Sequence, residues 1–322
     1  MRIIAYTNLY LPDCMAGAQT MLRDLLKPLS AAGHEVEVMI HRPSRTFLPY
    51  EWDGLKVTPY NGNRRQALRV LPQADLIVTM LEATDRAAAI AEIADVPIVQ
   101  LIHNDRWGTV DRLRMRCDLA VFNSDWVRAA LSKDTHSRAI VVRPPVDPDD
   151  YRTSPGEKVT LVNLWADKGA EVFYHCAKAL PDVQFVGVLG GYGQQVIEEH
   201  PNVELMQQTA DMREVYTQTR VLLMPSTYES WGRCAVEAAV SGIPTIAHPT
   251  PGLSESLSWA GTFVDRADPD AWVEAVRRLL GRRRWLAAHI DTLKRAEELE
   301  RKRRRDLDVW VDSVALLQKR KP

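Results

Sequence analysis

The sequence predicts an α/β protein built from two open, mostly parallel sheets, each covered by helices on both faces. Two observations predict it. Short apolar runs alternate with helix-like stretches, stop at a segment rich in Pro and Asp, and then alternate again. The length of 322 residues suits two domains of roughly 100–200 residues each.

The elements follow in order. RIIAYTNLY reads as a strand, and AGAQTMLRDLLKPLSAAG as a helix that stops at Gly33. HEVEVMIH alternates with period two and is the next strand. ADLIVTM, VPIVQLIH and CDLAVFNS are further strands, separated by the helical stretches EATDRAAAIAEIAD and SDWVRAALSKD. Ser124 is a good N-cap for the latter. RPPVDPDDYRTSPGEK, from Arg143 to Lys158, cannot continue a helix or a central strand and reads as the linker. This divides the chain into domains 1–147 and 148–322. In the second, KVTLVNLW, VQFVGVLG, VLLMPS and PTIAHP read as strands, and GAEVFYHCAKAL, MREVYTQT, GRCAVEAAVSG and DPDAWVEAVRRLL as helices, the last capped by Asp268 or Asp270. The end is long and helical, and Trp310, Val314 and Leu317 share one stripe, so the last helix, about 300–322, is expected to pack back on the N-terminal domain.

Composition narrows the function classes. At 46% apolar and 26% charged residues the chain is not a long disordered one. No apolar run approaches the ~18 residues of a membrane helix. MRIIAYTNLY enters a strand directly and lacks the plan of a secretory signal. Cys14, Cys117, Cys176 and Cys234 form no CxxC pair and no metal-ligand spacing, which fits a cytoplasmic protein with reduced thiols and no metal. The net charge of −1 hides an asymmetry: from Arg277 to Pro322 there are 15 basic and 7 acidic residues, a surplus of +8. Such a tail fits a polyanionic partner, DNA or an anionic membrane surface. The preferred reading is a solvated helix with basic groups outward, because Glu297, Glu298 and Glu300 interrupt the basic run at helical spacings that can pair charges.

In open α/β sheets, ligands bind beyond the carboxyl ends of the strands. PSTYESWGRCAVE, Pro225 to Glu237, follows the strand VLLM and places Glu229 in the strand-to-helix loop and Glu237 inside the helix. The backbone N–H groups of Gly232, Arg233 and Cys234 open that helix and form a phosphate site, which Gly232 leaves accessible. Carboxylates on either side of a phosphate suit a molecule with hydroxyls at both ends, and a nucleoside diphosphate sugar has that layout.

PSTYESWGRCAVEAAVSGIPTIAHPTPGLSE resembles the donor-site signature of the retaining glycosyltransferases of family 4: Pro225-Ser226, Glu229 and Glu237, Gly242 and Pro244, then Gly252 with Glu255. The first glycine-bearing loop and helix (CMAGAQ), PIVQLIHND, DLAVFNSDWVRAAL, VVRPPVD and VNLWADKG also match, in family order, over nearly the whole chain. The resemblance implies the GT-B fold, two Rossmann-like domains facing across a cleft. It implies a retaining, metal-independent, hexosyltransferase-like enzyme that takes sugar from a UDP- or GDP-linked donor and has no cofactor. Front-side attack, in which the departing phosphate helps deprotonate the acceptor, requires no side-chain nucleophile. By family position, His103 and Glu229 act at the transferred sugar, and Glu237 holds the ribose. Gly17, Asn163, Lys168, Ser230, Trp231, Gly232 and Arg233 contact the donor, Lys168 neutralising the pyrophosphate.

One position departs from the pattern: the family usually has an Arg where this chain has Asn163. Arg233 or Arg143 is expected to compensate. Otherwise the chain is a catalytically weakened nucleotide-sugar-binding protein. A sugar-nucleotide epimerase of the same fold is the other alternative. The N-terminal half is short for the family, for instance between Tyr60 and Asp75, which implies an open site for a large or anionic acceptor such as DNA, protein or a lipid-linked glycan.

Overall fold

A computed structural model describes residues 1–42, 47–60, 64–135, 137–191 and 193–318. Residues 61–63, within the Tyr60–Asp75 stretch, and the last four residues of the basic tail lie outside the described set. The chain divides into two compact units: Met1–Pro145 with Arg303–Pro322, and Val146–Lys302. The boundary falls in the Pro- and Asp-rich stretch.

The first unit runs β1 (Arg2–Thr7), α1 (Gly17–Ala31), β2 (Glu35–Ile40), β3 (Tyr50–Trp52), β4 (Leu55–Pro59), α2 (Arg64–Val70), β5 (Leu76–Met80), α3 (Thr84–Ala94), β6 (Ile98–Ile102), α4 (Trp107–Leu113), β7 (Leu119–Phe122), α5 (Asp125–Ala130) and β8 (Arg138–Val141). Its eight strands lie in the order β3-β4-β2-β1-β5-β6-β7-β8, and only the β3–β4 pair is antiparallel. Successive residues of β1 point to opposite faces. Ile3 and Ala5 pack with Leu22, Leu25 and Leu29 of α1, whereas Ile4 and Tyr6 pack with Ala67 of α2 and Ala87 and Ala91 of α3. Both faces are therefore buried, which is why the strands read as continuous apolar runs. Ser124 caps α5, its hydroxyl accepting from the Val127 amide.

The second unit runs α6 (Pro148–Tyr151), β9 (Lys158–Val162), α7 (Ala170–Ala179), β10 (Phe185–Val188), β11 (Val203–Met206), α8 (Arg213–Tyr216), β12 (Thr219–Met224), α9 (Arg233–Val240), β13 (Thr245–Ala247), α10 (Pro251–Leu257), β14 (Thr262–Phe263), α11 (Pro269–Leu280) and the start of α12 (Arg282–Gln318). Its six parallel strands lie in the order β11-β10-β9-β12-β13-β14. Val221 and Leu223 face α7 and α11, and Leu222 and Met224 face α9 and α10. Asp268, one of the two candidate caps, caps α11.

Several elements exceed the sequence reading. β3 and β4 form a hairpin across Asp53-Gly54, both with positive φ (53° and 75°), the conformation an Asp-Gly hairpin turn requires. β8, β11, β14 and α4 are short and carry little periodicity of their own. Within the linker, Asp147 and Pro148 start the one-turn helix α6, an Asp cap followed by Pro at the first helical position.

Candidate donor-binding site

In each sheet the strand order reverses at one point, and ligands of such sheets bind at that reversal. In the second unit β9 sits between β10 and β12. The loops leaving the carboxyl ends of β9 and β12 are residues 163–169 and 225–232, which carry Asn163, Lys168, Glu229, Ser230, Trp231 and Gly232, while Arg233 and Glu237 follow on α9.

These loops touch. Lys168 Nζ donates to Glu229 Oε1 at 2.5 Å, and the Ser226 hydroxyl donates to the same oxygen at 2.9 Å. The Thr227 amide donates to the Asp167 carbonyl at 2.9 Å. A Cβ at Gly169 would lie 2.2 Å from Cγ of Pro225, so this close approach, together with a φ of 93°, requires glycine. Gly232 is likewise fixed by the fold: its φ is 81° and a Cβ would meet Leu253 Cδ2 at 2.4 Å. Its glycine thus has a structural reason besides the ligand access expected from the sequence.

Glu237 lies one helical turn beyond Arg233 on α9 and is 5% exposed. Its Oε1 accepts from Arg233 Nε at 2.6 Å and its Oε2 from the Tyr216 hydroxyl at 2.7 Å. Arg233 also donates to the Tyr151 hydroxyl at 2.9 Å and stacks over that ring. The Cys234 thiol registers how closely the charges converge. Burial and the carboxylates of Glu237 and Glu229 raise its pKa, while Lys168 and Arg233 oppose them.

α7 and α9 begin after Gly169 and Gly232, and neither has a side-chain cap. By contrast α10 and α11 are capped by the side chains of Thr250 and Asp268. Uncapped amides are a site for anionic oxygens. Ser230 and Trp231 occupy the turn before α9, and Gly252 lets α10 approach it: a Cβ there would lie 2.3 Å from the Glu229 carbonyl.

Asn163 has a φ of 71°, a left-handed backbone that Asn tolerates better than Arg. Its side chain accepts from Gln195 Nε2 at 2.9 Å and is turned to the loop after β10. Of the two arginines expected to compensate, Arg233 pairs with Glu237, and Arg143, in the first unit, pairs with Asp306 (2.9 Å) and Asp125.

In the first unit the reversal lies between β1 and β5. Gly17 opens α1 beyond β1, where neither a positive φ nor any atom within 4 Å of a Cβ demands glycine. His103 follows β6 and is 9% exposed. Its backbone carbonyl accepts from Asn123, and its ring Nε2 is buried with no partner among the described residues. Burial lowers its pKa to about 4, so the ring is neutral at pH 7. Among the described residues no three His, Cys, Asp or Glu side chains converge as metal ligands, and no helix is long and apolar enough to cross a membrane.

Sequence reasoning missed Tyr216, Tyr151 and Arg266. Arg266, after β14, donates to the carbonyls of Ala166 (2.6 Å), Asp167 (3.0 Å) and Pro225 (2.7 Å) and pairs with Glu171. It staples the Lys168 loop to the Glu229 loop. No local motif marks these residues, because each reaches the site from a distant segment.

Residues 15–150 match the family described as Glycosyltransferase Family 4, and residues 159–282 match Glycosyl transferases group 1. The D-inositol 3-phosphate glycosyltransferase of Salinispora tropica is 34% identical over 110 residues, which are 33% of this chain and 23% of that protein. The protein of the same name from Mycolicibacterium gilvum is 26% identical over 213 residues, 60% of this chain and 44% of that protein. The matched segments thus span less than half of these relatives' own lengths. Among solved structures, Anabaena Alr3699/HepE in complex with UDP-glucose superposes with a TM-score of 0.80 at 16% identity, covering 98% of both chains. Sucrose-phosphate synthase from Thermosynechococcus elongatus gives 0.77 at 15% identity, covering 99% of this chain and 98% of the other. The fold is GT-B, and with both halves matched in order, the chain belongs to the family 4 glycosyltransferases.

Proposed function

We propose that the chain is a retaining, metal-independent glycosyltransferase that moves a sugar from a nucleoside diphosphate sugar to an acceptor hydroxyl. The observation that carries this reading is the meeting of Lys168, Ser226 and Glu229 at the carboxyl ends of β9 and β12, beside the uncapped starts of α7 and α9. In the reaction the bond from the anomeric carbon to the phosphate oxygen breaks, and the acceptor oxygen bonds that carbon on the same face. The hydroxyl proton passes to the departing phosphate. Negative charge grows on that phosphate, and a fixed cation with the amides of a helix start stabilises it more than the ground state.

Lys168 is the cation, and the amides of Ser230, Trp231, Gly232 and Arg233 are the donors to sugar and phosphate. The Lys168–Glu229 pair then serves as a reserve. Pyrophosphate draws Lys168 away, and Glu229 turns its released oxygen to the sugar hydroxyls. Glu237 accepts from the ribose, since a carboxylate has about four acceptor positions and Arg233 and Tyr216 use two. In the N-terminal unit the reading assigns His103 to the sugar, whose hydroxyl would satisfy its partnerless Nε2, and Gly17 to the phosphates. A UDP-linked donor is favoured over a GDP-linked one by the neighbours solved with UDP and UDP-glucose. The relatives are named for an inositol phosphate acceptor, so a small phosphorylated polyol joins the larger acceptors as a candidate.

Calorimetry with UDP, GDP, ADP and TDP tests the reading. UDP is expected to bind with EDTA present, and Glu237→Ala to weaken it by about ten- to a hundredfold, the cost of losing a charged acceptor. Absence of nucleotide binding at millimolar concentration defeats the proposal. A second reading is a nucleotide-sugar-binding protein without turnover, favoured by Asn163 lacking the family's charge and by both candidate arginines being paired elsewhere. Tight UDP-sugar binding with neither transfer nor hydrolysis identifies it.

A further inference from the structure

The first unit holds a cationic cluster with no role in the donor chemistry above. It lies at the carboxyl ends of β2, β1 and β5, where that sheet's order reverses. His41 and Arg42 follow β2, and their amides are held by the carbonyls of Thr7 and Asn8 at the end of β1. Arg86 stands in the first turn of α3, just after β5. One terminal nitrogen of Arg86 donates to the Tyr6 hydroxyl at 3.1 Å and lies 2.7 and 2.8 Å from the two nitrogens of the His41 ring. The Tyr6 ring lies 6.3 Å from the His41 ring, tilted by 42°, and meets the Tyr60 ring edge-on at 6.2 Å.

Among the described residues no carboxylate pairs with this cluster. Among the described residues Arg86 has no acidic partner, and its other two guanidinium nitrogens have no partner at all. The adjacent Asp85 is taken by Arg112 at 2.9 Å. The charges that act on His41 are Arg86 and Arg42, and together with burial they depress its pKa, so the imidazole is neutral and leaves room for an anion. The connection that sets Arg86 here is strained: Leu81, the residue after β5, has a φ of 52° in the left-handed region, unusual for a bulky side chain. A half-buried guanidinium with two open donors at a topological reversal fits a planar oxyanion, and a phosphate monoester above all.

We propose that His41, Arg42 and Arg86 hold a phosphate group of the sugar acceptor. This rests on the transferase reading, which supplies the acceptor, but its test is separate. Inorganic phosphate is titrated into the full chain with UDP saturating, so that the donor residues of the second unit are occupied, and the His41 ring signals are followed by NMR. The wild type is expected to show saturable millimolar binding. Arg86→Gln should weaken it by about tenfold or more, the loss of one charge-assisted bond, and leave UDP affinity unchanged. Arg86→Lys keeps the charge but not the fork and should fall between. If Arg86→Gln melts well below the wild type, His41→Gln is read in its place with the same expectation. Phosphate binding that survives these substitutions, or that chloride matches, overturns the proposal. Absence of UDP binding by the wild type would instead defeat the transferase reading and leave the phosphate titration, run without UDP, to be judged by itself.

Discussion

His103 shows how one buried ring sets both a stability profile and a chemical role. Its pKa of about 4 lies below the ordinary histidine value near 6.5, so the unfolded chain binds a proton that the folded chain refuses between those values. The stability it contributes is therefore present above pH 6.5 and lost as pH falls towards 4. Each pH unit in that window costs about 1.4 kcal/mol. Urea unfolding of the wild type at pH 7 and pH 5 should differ by about 2 kcal/mol from this group, and His103→Gln should remove that difference. An unchanged pH dependence in the variant would mean that other groups carry it. Glu237 poses a different residue-scale question, because Tyr216 and Arg233 hold both of its oxygens. Tyr216→Phe removes one donor to a buried carboxylate and should cost about 1–3 kcal/mol in stability. UDP affinity should fall less than in Glu237→Ala, because the carboxylate itself remains.

At the scale of elements the proposed donor site centres on a pair of loops. The loops after β9 and β12 are joined by Lys168–Glu229, by the Thr227 amide on Asp167, and by Arg266 spanning Ala166, Asp167 and Pro225. Arg266→Ala should leave Lys168 in place chemically but loosen its position. UDP affinity should drop about tenfold, and Arg266→Lys should restore only part of it, since a single ammonium cannot span three carbonyls. If Arg266→Ala lowers the melting temperature while UDP affinity stays at the wild-type value, the staple is structural only. The contrast with the sequence reading is informative here. Glu229, Glu237 and Lys168 were legible because each follows an apolar strand at the edge where such sheets bind ligands. Arg266 and Tyr216 were not, because their roles arise from contacts across 41 and 21 residues respectively. The reason for Asn163 was also hidden, since a left-handed φ has no spacing signature. The strands buried on both faces were readable from their apolar runs. The β3–β4 hairpin lay behind an Asp-Gly turn, and β14, with two residues, has no pattern to read.

At the scale of the whole molecule the long helix α12 serves two units. Its first part belongs to the second unit, and residues from Arg303 onward belong to the first. Trp310, Val314 and Leu317 lie in the core formed by β1, β2 and α1, and the Trp310 indole donates to the Leu25 carbonyl at 2.8 Å. Asp306 is buried and receives Arg143 through both its backbone amide and its guanidinium. Among the basic residues of the tail, Arg295 is buried and paired with Glu298. Trp310→Ala should cost about 3–5 kcal/mol, a large share of the stability of any single domain. That loss falls on the first unit, because the second unit's cores draw on Leu299, Trp285 and Ala288 of α12 and not on Trp310. Calorimetric unfolding of Trp310→Ala should therefore split into two transitions. The lower one, belonging to the first unit, should move much less with UDP, because Gly17 is that unit's one residue assigned to the phosphates. The upper one should rise as UDP is added, by about 2.7 kcal/mol of stabilisation at a hundred times the dissociation constant. A single transition that moves as a whole with UDP would show instead that the two units unfold together. The transferase reading would survive that outcome, but the donor residues could no longer be assigned to a unit that folds by itself.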